Sequence, residues 1–427
     1  MQMTVVTGLF LANVVNIIVE NRDNGWRTTN GVAMAAPIVV MLGIFFVPES
    51  PRWTYLHKGK EEAERVLKRL RQTDNVGHEL EVIGDQVAEE LAAQKGLVEL
   101  LEPSIFKRVA IAMMLQVLQQ ATGINPIMSY GALIFKDITN AGIYAAFFLS
   151  GVNFLSTIPA MRWVDTFGRR QLLLIGAVGM VIGHLFAAIL FTAICNGNVD
   201  NAGCPKVGGW FICVGSAFFV FNFAISWGPV CWIYPAEIFP LGVRAGRGAM
   251  TVVTGLFLAN VVNIIVENRD NGWRTTNGVA MAAPIVVMLG IFFVPESPRW
   301  TYLHKGKEEA ERVLKRLRQT DNVGHELEVI GDQVAEELAA QKGLVELLEP
   351  SIFKRVAIAM MLQVLQQATG INPIMSYGAL IFKDITNAGI YAAFFLSGVN
   401  FLSTIPAMRW VDTFGRRQLL LIGAVGM

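Results

Sequence analysis

Three glutamines and one asparagine lie inside a long stretch without charge, residues 109–135. Gln116, Gln119 and Gln120 stand at positions i, i+3 and i+4, a spacing that places side chains on one face of a helix. Asn125 follows between a glycine and a proline, where a helix bends or loosens. Each amide can donate and accept hydrogen bonds, as each hydroxyl of a polyhydroxylated solute can. The pattern therefore indicates either a solute-binding face or polar contacts between neighbouring helices.

A second group of polar residues is charged and falls at the ends of hydrophobic segments. Arginine pairs with carboxylates through two parallel hydrogen bonds, which makes such contacts directional. The group predicts a network of ion pairs at one end of a helical bundle or, alternatively, interfacial anchors that set topology. Its members are Glu49, Arg52, Asp165, Arg169, Arg170, Glu237 and Arg244.

His184 is the only side chain with an ordinary pKa near neutrality inside a hydrophobic segment. It fits either a proton relay or a hydrogen-bonded packing role, and the sequence leaves both open. No catalytic triad, His/Cys cluster at metal-binding spacing or phosphate-binding loop occurs in the sequence. We therefore predict a protein that is not an enzyme and that holds no cofactor and no metal.

The elements that must position these residues are membrane helices. The chain is 53% hydrophobic and 16% charged, with a mean hydropathy of +0.46, whereas a soluble domain carries about 25% charged residues. About 20 apolar residues span a bilayer as a helix. The sequence predicts an all-α, polytopic transmembrane bundle of about ten spans, and the run 418–427 is expected to be a truncated further span. The spans are 3–19, 31–48, 109–135, 143–161, 171–194, 208–236, 251–266, 278–295, 356–382 and 390–408.

Basic residues set the orientation of the bundle. The loop at 52–108 contains ten Lys and Arg residues, and the loop at 162–170 contains three. Loops of this kind stay on the cytoplasmic side. The net charge of +1 shows no electrostatic footprint for nucleic acid, so no nucleic-acid partner is expected. The apolar spans make the lipid bilayer an expected partner.

An exact repeat dominates the organisation of the chain. Residues 3–180 recur without a substitution as residues 250–427, at a displacement of 247 positions. Repeats in membrane proteins diverge because each copy packs against different neighbours. The identity indicates a recent tandem duplication or a misassembled gene product. Below, the first copy is residues 1–249 and the second copy is residues 250–427.

Five short strings fall at the boundaries or inside the predicted spans, in a fixed order. Taken together, they resemble the sugar porters of the major facilitator superfamily, and the resemblance covers essentially the whole chain. The strings are Pro-Glu-Ser-Pro-Arg-Trp at 48–53, Gln-Gln-Ala-Thr-Gly-Ile-Asn at 119–125, Asp-Thr-Phe-Gly-Arg-Arg at 165–170, Trp-Gly-Pro-Val-Cys-Trp at 227–232 and Pro-Ala-Glu-Ile-Phe-Pro at 235–240.

The resemblance implies a domain order. Residues 1–48 resemble family helices five and six, 49–108 the cytoplasmic helical loop, and 109–249 helices seven to ten. The second copy repeats helices five and six at 250–295, the loop at 296–355, and helices seven, eight and the start of nine at 356–427. Because helix five is the structural counterpart of helix eleven in this superfamily, residues 109–295 are expected to mimic one six-helix half.

The resemblance also implies roles for particular residues. In the family, the positions that match six residues of the first copy contact the sugar, with the indole as a floor of the cavity; they are Gln2, Gln119, Gln120, Asn125, Asn153 and Trp232. Four positions of the second copy follow by identity: Gln366, Gln367, Asn372 and Asn400. The charged group would latch the two halves of the transporter on the cytoplasmic side.

The expected function is therefore transport of a monosaccharide by alternating access, as a uniporter or a proton symporter, in the plasma membrane. The implied partners are a small-molecule sugar, the bilayer and, for a symporter, protons. Two alternatives remain: a sugar sensor of the same fold that does not transport, and an inactive product of the duplication.

Overall fold

The computed structural model describes eight long stretches of the chain and several short pieces. The long stretches are 2–19, 47–92, 103–125, 142–195, 206–238, 294–339, 350–369 and 389–426. The short pieces are 28, 31, 35, 37–39, 41–45, 127–128, 135, 257, 261, 285–286, 289 and 291. Within these residues the regular structure is helical and no strand occurs, so the all-α prediction is confirmed.

In the first copy, the helices whose bounds the structure describes are nine α-helices and one π-helical turn. They are α1 (Gln2–Val19), α2 (Pro51–Lys58), α3 (Lys60–Arg71), α4 (Gly77–Ala92), α5 (Pro103–Ala121), α6 (Gly142–Phe167), α7 (Arg169–Cys195), α8 (Lys206–Asn222), the π turn (Phe223–Trp227) and α9 (Gly228–Ile238). Six described helices belong to the second copy. They are α10 (Pro298–Lys305), α11 (Lys307–Arg318), α12 (Gly324–Ala339), α13 (Pro350–Ala368), α14 (Gly389–Thr413) and α15 (Arg416–Gly426).

Four of the described helices are long and apolar enough to cross a membrane: Gln2–Val19, Gly142–Phe167, Arg169–Ile194 and Val207–Pro235. They coincide with four predicted spans. Shorter apolar helices at Val356–Gln366 and Phe394–Ala407 coincide with two more. The predicted spans at 251–266 and 278–295 lie largely outside the described residues, and the span at 31–48 is described only in short pieces.

Glycines allow α7 to lie unusually close to α8 and the π turn. A Cβ at Gly179 would overlap the Asn222 side chain, and a Cβ at Gly176 would overlap Ser226. Small residues at such crossings let two backbones approach and pack in a membrane. The main apolar core then forms where α6, α7, α8 and α9 meet, around residues such as Phe219.

Helices α2 to α4 form a small amphipathic unit that we call the first platform, and α10 to α12 form its identical counterpart, the second platform. Each has its own apolar centre, built in the first from Ala63, Leu67 and Leu80. Hydrogen bonds to Glu64 and to Glu311, one turn earlier, raise the pKa of Lys68 and Lys315. Both lysines therefore remain charged at physiological pH.

The two copies are interleaved. Helix α1 packs on α6 of its own copy, with the Phe10 ring 5.3 Å from those of Phe147 and Phe154, and it also packs on α13 of the second copy. The second platform contacts α5 and α9 of the first copy, whereas the first platform contacts α13. Each platform therefore lies beneath helices of the other copy.

Candidate functional site

Two glutamines of α5 donate hydrogen bonds to backbone carbonyl oxygens of the π turn and α9, and one of these carbonyls lacks its helical donor because of a proline. The Cys231 carbonyl would normally accept a hydrogen bond from the residue four positions on, but that residue is Pro235, which has no N–H. Gln116 Nε2 donates to the Cys231 carbonyl oxygen at 2.7 Å instead. Gln119 Nε2 donates to the Trp227 carbonyl oxygen, the last of the π turn, at 3.0 Å. These two hydrogen bonds join α5 to α9 and to the π turn that precedes it.

The predicted glutamine face therefore divides into two parts. Gln116 and Gln119 are buried against α9, while Gln120 is half-buried and accepts a hydrogen bond from Asn125. Asn125 is exposed, and it follows Gly123, whose φ of +83° ends the regular helix at this point. A left-handed backbone suits glycine because it has no Cβ. The turn thus separates Gln120 and Asn125 from the buried pair.

Two further predicted residues lie near the π turn. The side chain of Gln2, on α1, faces the bare backbone of Gly228, where an added Cβ would stand 2.9 Å from Gln2 Nε2. Asn153 lies on α6, which packs on the π turn, and is only 4% exposed. Its Oδ1 is buried and has no hydrogen-bond partner among the described residues. Gln2 and Gln119 thus converge at Trp227–Gly228, and Asn153 adds a buried open acceptor on a neighbouring helix.

The two tryptophans of this region differ in their surroundings. Trp232, predicted to meet the solute, is half-buried on α9. Trp227 is fully buried, and its Nε1 donates to the Leu173 carbonyl oxygen on α7 at 3.1 Å. Sequence reasoning did not single out Trp227, although the Gly-Pro that follows it signals the irregular backbone that it anchors. Trp227 therefore anchors the π turn, whereas the Trp232 side chain is only half-buried.

The second-copy counterparts are less enclosed. Gln366 is exposed, and Asn400 is half-buried, with its carbonyl accepting hydrogen bonds from Ser403 and Thr404. The side chains of Gln367 and Asn372 lie outside the described residues. The difference has a sequence cause, since residues 181–249, which include α8 and α9, occur once in the chain.

Arg169 is the centre of the charged network. Its guanidinium donates to both carboxylate oxygens of Glu237, at 2.6 and 3.0 Å, and contacts Asp165 at 3.3 Å. It also donates to the Val164 carbonyl oxygen at 3.0 Å. The residue is 5% exposed, so this charge is taken out of water and depends on its partners. The network ties the α6–α7 turn to the end of α9.

A carboxylate of the second copy completes this network. Glu296 accepts hydrogen bonds from the backbone N–H groups of Arg169 and Arg170, each at 3.0 Å, at the start of α7. An anion is favourable there because the first N–H groups of a helix lack internal partners and the helix dipole is positive. The Trp300 indole N–H also donates to the Asp165 carbonyl oxygen at 2.9 Å. The sequence prediction placed Glu49 in the network and missed Glu296; its identity with Glu49 was the available signal.

Glu49 makes the equivalent contact in the other direction. It accepts hydrogen bonds from the backbone N–H groups of Arg416 at 3.2 Å and Arg417 at 3.0 Å, at the start of α15. The two Pro-Glu-Ser-Pro-Arg-Trp strings are therefore exchanged between the copies. Two predicted members of the network remain. Arg52 is engaged in an interaction with another group, and Arg244 lies outside the described residues.

His184 lies between α7 and its neighbours. Its Nε2 is 3.1 Å from the Thr122 carbonyl oxygen, and its ring packs on the Phe219 ring with 4.2 Å between centroids. The contacts give the imidazole a hydrogen-bonded packing role in this arrangement.

Comparison with known proteins matches residues 1–254 and 247–427 to the family model described as sugar (and other) transporter. Sugar transport protein 10 of Arabidopsis thaliana is 32% identical over 269 residues, which cover 61% of this chain and 51% of the relative. The low-affinity glucose transporter HXT3 of Saccharomyces cerevisiae is 33% identical over 329 residues, covering 73% of this chain and 57% of the relative. The chain thus spans about half the length of the curated relatives it matches.

Solved structures share the architecture. The major facilitator superfamily proton:xylose symporter XylE bound to 6-bromo-6-deoxy-D-glucose has a TM-score of 0.52 at 25% identity, over 69% of this chain and 63% of that one. The inward-open xylose transporter XylE from E. coli has a TM-score of 0.57 at 20% identity, over 75% of this chain and 72% of that one. The second match is a likeness of fold alone.

Proposed function

Because this chain belongs to the sugar (and other) transporter family, we propose that it carries a monosaccharide across a membrane by alternating access. The observation that supports the proposal most strongly is the buried, unpaired Oδ1 of Asn153 on a helix that packs on the π turn. A buried acceptor without a partner costs about 1–3 kcal/mol, which a sugar hydroxyl would offset.

In this proposal Gln120 and Asn125 are the adaptable members of the site. Their mutual hydrogen bond can be exchanged for bonds to sugar hydroxyls, since both amides donate and accept. The half-buried Trp232 offers its ring face to the apolar side of the sugar. Gln2, beside Gly228, and Gln119, at the Trp227 carbonyl, would border the bound sugar. Gln366, Gln367, Asn372 and Asn400 would be the second-copy equivalents.

The charged network supplies the moving part of the proposal. Contacts between Arg169, Glu237 and Glu296 join three elements at the end of the bundle where the platforms lie. Directional ion pairs that form in one state and break in another bias a rocking motion between two arrangements. We assign this network to the outward-open state, in which the cytoplasmic side is closed.

The proposal favours uniport of a hexose-like sugar at the plasma membrane. The His184 ring is engaged by the Thr122 carbonyl and the Phe219 ring, which suits a packing role rather than a proton relay. The names of the relatives support glucose and xylose as the probes to use first. A sensor of the same fold would bind these sugars without moving them.

Binding of labelled D-glucose and D-xylose to the purified full chain in nanodiscs tests the site. Asn153→Ala and Gln120→Ala should each weaken affinity by roughly 5- to 150-fold, the equivalent of about 1–3 kcal/mol. Asn75→Ala, at an exposed position of the first platform, is the matched control and should bind as the native chain does. Equal affinity in all four proteins would refute the site assignment.

A further inference from the structure

The Thr122 carbonyl lies just after α5, the helix that carries the glutamines of the proposed site. In a regular helix this carbonyl would accept a hydrogen bond from the residue four positions on, but that residue is Pro126, which has no N–H. The next bond of the series does form, since the Ile127 N–H donates to the Gly123 carbonyl oxygen at 3.2 Å. Thr122 is fully buried, so its carbonyl needs a donor from the protein.

His184 supplies the missing donor from α7. Its Nε2 is 3.1 Å from the Thr122 carbonyl oxygen, and because a carbonyl oxygen only accepts, the proton is on this nitrogen. Close packing of α7 on α8 places the imidazole, since a Cβ at the neighbouring Gly183 would stand 2.9 Å from the Phe219 backbone nitrogen. The His184 ring packs on the Phe219 ring, with 4.2 Å between centroids. One hydrogen bond and one ring contact therefore fix the side chain.

The turn to which His184 donates separates two residues of the proposed site. Gln120 precedes Thr122 by two positions and Asn125 follows it by three, and the side chains of this pair are hydrogen-bonded across the turn. The N–H and the hydroxyl of Thr122 both donate to carbonyls within α5. The Thr122 carbonyl, in contrast, takes its donor from α7, so the geometry of the turn depends on a residue outside α5.

We propose that His184 is a positioning residue of the sugar site. Through the Thr122 carbonyl it holds the adjacent turn in the geometry that keeps Gln120 and Asn125 together. Without the imidazole N–H, the buried carbonyl would be satisfied only by a rearranged turn, in which the two amides are displaced. The apparent affinity for the sugar then falls in proportion to the fraction of molecules that keep the binding geometry. The inference rests on the proposed function, and it assigns His184 an action through the backbone rather than contact with the sugar.

Two substitutions at His184 separate its hydrogen bond from its ring contact. His184→Gln keeps a donor and loses the ring, whereas His184→Phe keeps the ring and loses the donor. The affinity of the purified full chain in nanodiscs for labelled D-glucose should stay within about threefold of native in His184→Gln and fall at least about tenfold in His184→Phe. An affinity of His184→Phe equal to or tighter than that of His184→Gln would overturn the proposal, because a packing role alone favours the ring.

A second measurement follows the turn itself without sugar. Ile124, the second residue after Thr122, is 5% exposed, so a cysteine there reacts only when the turn opens. In a chain whose four native cysteines are replaced by alanine, N-ethylmaleimide should modify Ile124→Cys at least about tenfold faster with His184→Phe than with His184→Gln. Equal rates would overturn the proposal even if the two variants differ in affinity. If the native chain binds no D-glucose, the proposed function fails, and the rate ratio still decides whether His184 holds the turn.

Discussion

At the scale of single residues, polar side chains in this bundle compensate for irregular backbone. Gln116 donates a hydrogen bond to the Cys231 carbonyl because Pro235 has no N–H to do so. Without this bond the carbonyl would be unsatisfied, since the interior of a membrane contains no water that could donate to it. The same argument explains why a glutamine on one helix and a proline on another form a functional pair. Neither residue reveals the pairing by itself, since the contact joins positions 115 residues apart.

Gln116→Leu leaves the Cys231 carbonyl without its donor, so it should be less stable than Gln363→Leu by about 1–3 kcal/mol, the cost of an unsatisfied buried carbonyl. Both substitutions also remove a buried Oε1 that has no partner among the described residues, so this second effect cancels in the comparison. Gln363→Leu is the matched control at the identical sequence position, because the residues of α9, which include the Cys231 carbonyl, occur once in the sequence. Thermal unfolding of the purified proteins measures the difference. A Tm that falls equally in both variants would contradict the explanation.

His184→Gln should preserve sugar uptake and its dependence on pH, because glutamine can donate to the Thr122 carbonyl in place of the imidazole N–H. If His184 were a proton relay, the substitution would change the pH dependence of uptake, because glutamine does not titrate. Uptake into vesicles measured between about pH 5 and 8, the range in which an ordinary histidine changes charge, separates the two roles. Loss of a pH-dependent component in the variant would show that the histidine carries protons.

At the scale of elements, the buried Arg169 links the α6–α7 turn to α9. Arg169→Ala leaves Glu237 without its partner in a site where its side chain is 11% exposed. Breaking a buried ion pair in this way costs about 3–5 kcal/mol. Arg416→Ala is the matched control at the identical sequence position, and it should cost far less because the segment 181–249, which includes Glu237, occurs once in the sequence.

Differential scanning fluorimetry of both arginine variants checks this prediction. A similar loss of stability in the two proteins would show that the Glu237 contact contributes little. A double-mutant cycle with Glu237→Gln isolates the pair, since the coupling energy should account for most of the loss in Arg169→Ala.

Hydrophobic periodicity predicted some elements closely and others only in part. The span predicted at 143–161 lies within α6 (142–167), because a long apolar run has little alternative to a helix in a membrane. The span predicted at 109–135 is different, since the regular helix ends at Ala121, before the left-handed Gly123. Hydropathy does not report such a turn. The amide face was predictable from spacing, but its division into buried and exposed parts depends on α9.

At the scale of the whole molecule, identical strings have different partners. Glu49 and Glu296 cannot be told apart from sequence, yet each caps a helix of the other copy. The order of the segments along the chain explains why each copy caps a helix of the other. The segment 250–295, which resembles family helices five and six, comes directly after α9 and can take the place of family helices eleven and twelve. The expectation that residues 109–295 mimic a six-helix half stays a prediction, supported by the contact between Glu296 and α7.

Copy-specific cross-linking tests the exchange. Asp165→Cys with Trp300→Cys should be joined by a short bifunctional maleimide, because the Trp300 indole reaches the Asp165 carbonyl. Asp165→Cys with Trp53→Cys presents the same sequence pair within one copy and should not be joined. A protease site inserted at 245 separates the fragments on a gel for the first pair. Efficient cross-linking of the second pair instead would show that the copies are not interleaved.

Counterflow in proteoliposomes tests most directly the central claim that this chain moves a monosaccharide. Vesicles that contain the purified full chain and are loaded with unlabelled D-glucose should accumulate external labelled D-glucose transiently above equilibrium. They should not accumulate L-glucose, and Asn153→Ala should abolish the overshoot. Binding without counterflow would identify a sensor, and equal entry of D- and L-glucose at the rate of protein-free vesicles would contradict the claim of transport.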